Sequence, residues 1–295
     1  MSSYALTCES TADYPRSYFE ERNIPYVMFH YELDGVTHDD DLYESVTPEE
    51  FFGALKAGST SKTSQVSVGE YTEFWKPMLE AGQDILHLTL SSGISGTYNS
   101  AVIAAQNLAA EYPERTIRVI DSLAASAGYG LLMDYVADLR DQGATLEEAA
   151  AWAEEHKLNL NHWFFVSDLD CLKRGGRVSS TSALIATALK ICPVMNVDNQ
   201  GKLIPREKIR TKKKAITELV ARMMDHVENG AAYTGKCTIS QSNCRADAEE
   251  VARLIGEQIP ALKGKVRINN IGTVIGSHTG PGTVALFFMG DKRVD

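Results

Sequence analysis

The 295-residue chain predicts an α/β fold in two parts: a parallel, Rossmann-like α/β domain over residues 1–155, then an α+β domain with a mostly antiparallel sheet over residues 156–295. Three observations carry this. Apolar runs with strand character alternate with helix-periodic segments through the first half. Hairpin-like strand pairs mix with helices in the second. Each half also contains a loop of glycine and small hydroxyl residues at the end of an apolar run, Leu90–Tyr98 and His278–Gly282. A ligand touching both loops would lie at the domain interface, a usual place for a cleft.

The elements follow in order. Tyr4 to Cys8, Pro15 to Arg22 and Ile24 to Phe29 read as strand, helix and strand, a β-α-β opening. Helix starts are well marked after that. Thr47-Pro48-Glu49-Glu50 places a capping threonine before proline and a glutamate at the third position, and Ser67-Val68-Gly69-Glu70 and Thr145-Leu146-Glu147-Glu148 repeat the capping box. The strand Asp84 to Leu90, a helix Thr97 to Ala110, the strand Thr116 to Ile120 and a helix Ala124 to Asp141 extend the alternation, and a further helix ends near His156. The second half opens with Trp163 to Val166. A helix Thr181 to Leu189, strands Pro193 to Val197 and Lys202 to Pro205 around the turn Asp198-Asn199-Gln200-Gly201, and a helix Lys212 to Glu228 follow. Strand Cys237 to Gln241, helix Ala246 to Gln258 and strands Val266 to Asn270, Thr273 to Gly276 and Val284 to Met289 complete the chain.

Composition narrows the function. A chain this long with 44% hydrophobic residues can fill a core in each domain. A net charge of -10 argues against general nucleic-acid binding, which needs surplus lysine and arginine. The N-terminus lacks signal-peptide character and no apolar run is long enough to span a bilayer, so the expectation is a cytoplasmic protein without stable membrane insertion and with at most transient membrane contact. The five cysteines are scattered, odd in number and without a C-x-x-C pair, which suggests neither a disulfide framework nor a zinc site. Asp39, Asp40 and Asp41 beside His38 have no evident converging ligands, so this stretch reads as a solvated turn and no metal is expected.

The Ser95 loop lies between a strand and a helix, so its free N–H groups and the positive end of the helix dipole meet at one spot suited to an anion. Ser95 as a simple helix cap is the bland alternative. The second loop adds the imidazole of His278.

Several motifs in order carry a resemblance: Glu9-Ser10-Thr11-Ala12-Asp13, Thr63-Ser64-Gln65-Val66-Ser67, the Ser95 loop, Val119-Ile120-Asp121-Ser122, Asp168-Leu169-Asp170-Cys171-Leu172-Lys173-Arg174-Gly175-Gly176-Arg177 and the His278 loop. From near the N-terminus to the last strand the chain resembles the DegV family of bacterial fatty-acid-binding proteins. Glu9 stands where the family usually has aspartate and Val66 where it usually has proline, departures that bear on local turn geometry. The resemblance implies a non-catalytic carrier of one long-chain fatty acid, with no cofactor, that presents the carboxylate to a fatty acid kinase catalytic protein for acyl-phosphate formation and phospholipid synthesis. By the same motifs, Thr63, Ser95, Gly96, Arg177 and His278 would hold the carboxylate. Ile94, Phe164, Leu172, Ile185, Leu189, Ile191 and Phe287 are candidates for lining the tail. Arg206 and Arg210, in a basic stretch running to Lys214, would dock the kinase.

Two other chemistries compete. A serine hydrolase acting on a lipid or acyl ester could use Ser95 and His278 with Asp121 or Asp168, but Gly93-Ile94-Ser95-Gly96-Thr97 does not match the G-x-S-x-G elbow. A phosphotransferase could cradle phosphate in the same loops, yet the chain has no G-x-x-x-x-G-K-[ST] motif.

Overall fold

The computed structural model describes residues 4–167, 169–178 and 191–293. The first half contains β1 (Tyr4–Glu9), α1 (Arg16–Glu21), β2 (Tyr26–Val27), β3 (His30–Leu33), β4 (Val36–Asp39), α2 (Pro48–Ala57), β5 (Ser61–Ser64), α3 (Val68–Glu80), β6 (Asp84–Thr89), α4 (Thr97–Glu111), β7 (Ile117–Asp121), α5 (Ala127–Asp141) and α6 (Leu146–His156). The second contains β8 (Leu160–Phe165), α7 (Asp170–Arg174), β9 (Cys192–Val197), β10 (Leu203–Ile209), α8 (Lys212–His226), β11 (Cys237–Gln241), α9 (Arg245–Gln258), β12 (Arg267–Asn270), α10 (Thr273–Thr279) and β13 (Val284–Met289).

The expected fold class is present. A parallel sheet of order β2-β1-β6-β7 is followed by a sheet of order β10-β9-β8-β13-β11-β12, antiparallel except where β11 runs alongside β12. β8 and β13 are buried at every position, as befits central strands covered on both faces. All three expected capping boxes form: Thr47, Ser67 and Thr145 each accept from the third-residue N–H while the glutamate there reaches back.

Three expectations are corrected. The strand expected over Ile24 to Phe29 shortens to Tyr26–Val27, and the chain instead builds a small antiparallel sheet of order β4-β3-β5. Its strands are short and largely polar, so the alternation signal was faint. Asp34 and Gly35, at φ 50° and 87°, form the Asp-Gly turn that joins β3 to β4. The acidic stretch is only in part the solvated turn expected: His38 and Asp39 belong to β4, with Asp39 exposed and Asp41 half-buried. Asp40 is buried and its carboxylate accepts from the Thr273 hydroxyl at 2.7 Å, because the start of α10 packs over it.

The third correction concerns Thr273 to Gly276, expected as a strand leading to a His278 loop. It is helix α10, with His278 in its last turn. Its β-branched residues favour a strand locally, but tertiary contacts decide otherwise. α10 packs on α2, β3 and β5 of the first half as well as on α7. Gly276 sits so close to Phe52 that a Cβ there would be 2.8 Å from the ring, and Ser277 Oγ lies 2.6 Å from Ser61 Oγ. The helix expected over Thr181 to Leu189 lies outside the described residues.

Candidate functional site

β1 pairs with β2 on one side and β6 on the other, so the connections leaving β1 and β6 diverge at their carboxyl ends. Such a switch point opens a crevice in a parallel sheet. The Ser95 loop leaves β6 there and is held from two directions. Beneath it, the buried Glu9 carboxylate accepts from the Leu90 N–H at 2.7 Å and the Thr97 hydroxyl at 2.9 Å, the two ends of the loop, and from the Tyr71 hydroxyl at 2.5 Å. With the Thr11 hydroxyl at 3.4 Å, four donors answer the cost of removing a carboxylate from water. The longer Glu9 side chain thus defines the local turn geometry. On the other side, the Ser91 hydroxyl donates to the Gly201 carbonyl at 2.8 Å, tying the loop to the β9–β10 turn. Gly201 is required there, with φ 72° and room for no Cβ beside Ser91 Oγ.

Thr63, Ser95, Arg177 and His278 line one cavity of about 300 Å³, together with Ile94, Gln65 and Ile275. Thr63 is placed by its pairing opposite Tyr31 in the small sheet, and its Oγ1 lies 2.8 Å from His278 Nε2. Ser95 Oγ accepts from the Thr97 N–H at 3.2 Å, leaving its own hydroxyl proton to be donated. Arg177 is anchored through Nε to the Ile94 carbonyl at 3.3 Å. Burial, and then the charge of Arg177, push the His278 pKa down to about 4. The imidazole is therefore neutral near pH 7. Its Nδ1 has no partner among the described residues, and Gly175 lies so close that a Cβ there would be 2.2 Å from it.

Ile94 and Ile275 are shared with a second, apolar cavity of about 60 Å³, whose wall includes Phe164, His162, Phe287 and Leu203. Strand register explains this wall: Phe164 pairs with Ala285 and His162 with Phe287, so alternate residues of β8 and β13 face one way. A polar chamber with a cation, hydroxyls and a neutral imidazole thus adjoins an apolar one.

A family profile described as an uncharacterised protein, DegV family, matches residues 3–291. The chain belongs to the DegV family. A DegV domain-containing protein of Clostridium perfringens is 37% identical over 293 residues, covering 99% of each chain. A Thermotoga maritima protein named as fatty-acid-binding is 32% identical, covering 95% of each. Among solved structures, a DegV protein of Ruminococcus gnavus, described with vaccenic acid, superposes with a TM-score of 0.87 at 27% identity, covering 97% of this chain and 100% of that one.

In this DegV protein, four of the five expected head-group residues line one chamber, and Ile94, Phe164 and Phe287 line the apolar cavity. Gly96 is not in the wall. It is the N-cap of α4, and a Cβ on it would be 2.5 Å from Gln65 Oε1. Leu172 is fully buried and Ile191 half-buried, and both cavities are formed without them. Ile185 and Leu189 lie outside the described residues. Arg206 donates to Asn196 Oδ1 at 2.8 Å, and Arg210 is exposed just beyond β10. Gln65 was within a quoted motif but unassigned, whereas Ile275 was hidden by the strand reading of α10.

The hydrolase constellation does not assemble among the described residues. His278 Nε2 engages Thr63, while Asp121 accepts from the Ser92 and Leu123 N–H groups. Asp168 lies outside the described residues. No described helix is long and apolar enough to cross a membrane.

Proposed function

We propose that this DegV protein is a cytoplasmic, non-catalytic carrier of one long-chain fatty acid. The observation that carries the reading is the junction at Ile94 and Ile275 between the polar and apolar cavities, which matches an amphiphile with an anionic head. Thr63 and Ser95 donate hydroxyl hydrogen bonds to the carboxylate, Arg177 supplies positive charge, and His278 orients Thr63. Burying the tail contributes roughly 0.8 kcal/mol per CH₂, on the order of 12 kcal/mol for sixteen carbons, which offsets much of the association cost. The apolar cavity of about 60 Å³ is far smaller than such a chain, so its wall repacks around the tail. The names of the Thermotoga and Ruminococcus proteins support the ligand class.

The carboxylate is presented to a separate fatty acid kinase catalytic protein, which docks through Arg206 and Arg210. Positive charge in that stretch, on a chain of net charge -10, would steer the encounter. Native mass spectrometry of the purified protein, followed by lipid extraction, tests the carrier: one fatty acid per chain is expected, and an extract without fatty acid together with no thermal shift on adding oleate or palmitate would overturn it. Arg206→Ala with Arg210→Ala should keep the lipid and lose kinase-dependent acyl-phosphate formation; unchanged turnover returns the stretch to a solvated face.

A further inference from the structure

The two hydroxyls assigned to the carboxylate come from segments that are supported separately. Thr63 is carried by β5, which packs on β3 and α10, whereas Ser95 precedes α4, which packs on α3, β6 and β7. Gln65 joins them. It stands two residues after Thr63, the repeat that returns an extended chain to the same side, and it lines the same chamber. Its Nε2 donates to Ser100 Oγ, near the start of α4, at 2.9 Å. Ser100 is buried, and its N–H donates to the Gly96 carbonyl at 3.2 Å, so the acceptor is itself fixed to the residue after Ser95. The segment that carries Gln65 is pinned as well: Val66 is fully buried and Ser67 caps α3.

Gly96 records the same contact. Its φ of -83° and ψ of 3° are open to residues with side chains, so the backbone does not call for glycine. Space does. A Cβ there would lie 2.5 Å from Gln65 Oε1 and 3.2 Å from Nε2, which means that the amide lies across Gly96, against the Ser95 loop. Gln65 is exposed, and ordering a long, exposed side chain costs rotamer entropy, so the contact adds little to the fold. What it fixes is the distance between β5 and the Ser95 loop.

We propose that Gln65 is a positioning residue: its amide sets the spacing of the Thr63 and Ser95 hydroxyls, so that the chamber grips a head with two acceptor oxygens, a carboxylate, and discriminates against a single-oxygen head such as an alcohol. This rests on the carrier reading above. A carboxylate offers one oxygen to each hydroxyl, and both bonds form together only while the donors keep one separation. Hydrogen bonds to a charged acceptor are the stronger kind, and they weaken steeply with misalignment. An alcohol engages one donor at a time and is indifferent to the spacing. The charge of Arg177 favours the carboxylate with or without Gln65, so removing the amide narrows the selectivity without abolishing it.

The test uses the full chain freed of lipid and measures affinity for hexadecanoic acid and for hexadecan-1-ol, with the melting temperature of each lipid-free protein. Gln65→Met keeps the length of the side chain and removes the amide. It should lower affinity for the acid about tenfold, leave the alcohol within about twofold and keep the melting temperature. Gly96→Ala, which pushes the amide aside, and Ser100→Ala, which removes its acceptor, should each narrow the acid-to-alcohol ratio in the same way, and they serve if the methionine variant does not fold. Gln65→Met combined with Ser100→Ala should cost no more than Gln65→Met alone, because both remove one contact. A parental ratio in Gln65→Met or Gly96→Ala, an equal loss for acid and alcohol, or a wild type that holds the alcohol as tightly as the acid overturns the inference and leaves the carrier reading standing. A wild type that binds neither overturns both.

Discussion

Thr63 Oγ1 and His278 Nε2 are 2.8 Å apart across 215 residues of sequence, which makes this contact a direct link between the small sheet and α10. With His278 neutral, Nε2–H can donate to the threonine oxygen and free the threonine proton for a carboxylate. Thr63→Val breaks the relay, and Ser95→Ala removes a second donor. Each should weaken fatty-acid binding by roughly 1.5–3 kcal/mol, about ten- to a hundredfold. Because Ser95 also accepts from the Thr97 N–H, melting without lipid must be measured beside affinity. Parental affinity in both variants would place the head group elsewhere.

Gly175→Ala tests the placement of the imidazole. Gly175 has helical φ of -71°, so alanine fits the backbone, but its Cβ would sit 2.2 Å from His278 Nδ1. The ring must move away from Thr63. Loss of lipid affinity comparable to that of Thr63→Val, with the melting temperature largely kept, is the expected result of titration calorimetry and thermal denaturation.

The His278 pKa gives a pH dependence of definite sign. In the unfolded chain histidine titrates near 6.5, whereas in the folded protein it does so at about 4. Between these values the unfolded state binds the proton that the folded state refuses, so stability falls as pH drops from about 6.5 to about 4. Denaturant unfolding at pH 7 and pH 5 should show a smaller loss in His278→Gln. A bound carboxylate favours the protonated ring, so lipid should also blunt the loss.

His30 has the opposite sign. Burial disfavours its charge, but hydrogen bonds with Glu70 at 2.5 Å and Asp39 at 2.9 Å outweigh that and raise its pKa. Its stabilising contribution is complete below the unfolded value near 6.5 and disappears as pH rises through the folded value. Since Glu70 and Asp39 are partly solvated, His30→Gln should cost only about 0.5–1 kcal/mol at pH 6 and nothing attributable to this charge at pH 9. Urea unfolding at the two pH values distinguishes these outcomes.

Glu9 offers a test of the support beneath the loop. Glu9→Ala leaves the Leu90 N–H without its acceptor and the buried Tyr71 and Thr97 hydroxyls, 2.7 Å apart, with one acceptor too few between them, and should destabilise the fold by on the order of 3 kcal/mol, lowering lipid affinity as well. Glu9→Asp, which restores the carboxylate with a shorter reach, should recover part of both in thermal melts and binding isotherms.

Local chemistry was enough to read the capping boxes at Thr47, Ser67 and Thr145, the strands β11 and β13, and the Ser95 turn, because each depends on residues adjacent in sequence. The expected carboxylate-binding residues were nominated through motifs carrying hydroxyls, glycines and a lone imidazole, and four of them, Thr63, Ser95, Arg177 and His278, line one chamber. Tertiary structure decided the rest. Thr273 to Thr279 is a helix because it is wedged between Phe52, Ser61 and α7, contacts that no propensity within the segment reports. Asp40 is buried because Thr273 arrives over it, and Gln65 and Ile275 reach the cavity only when β5 and α10 pack together. Burial and cavity walls are properties of surfaces brought together from distant segments, so sequence pattern can nominate Thr63 and His278 separately, but only the folded chain sets them 2.8 Å apart.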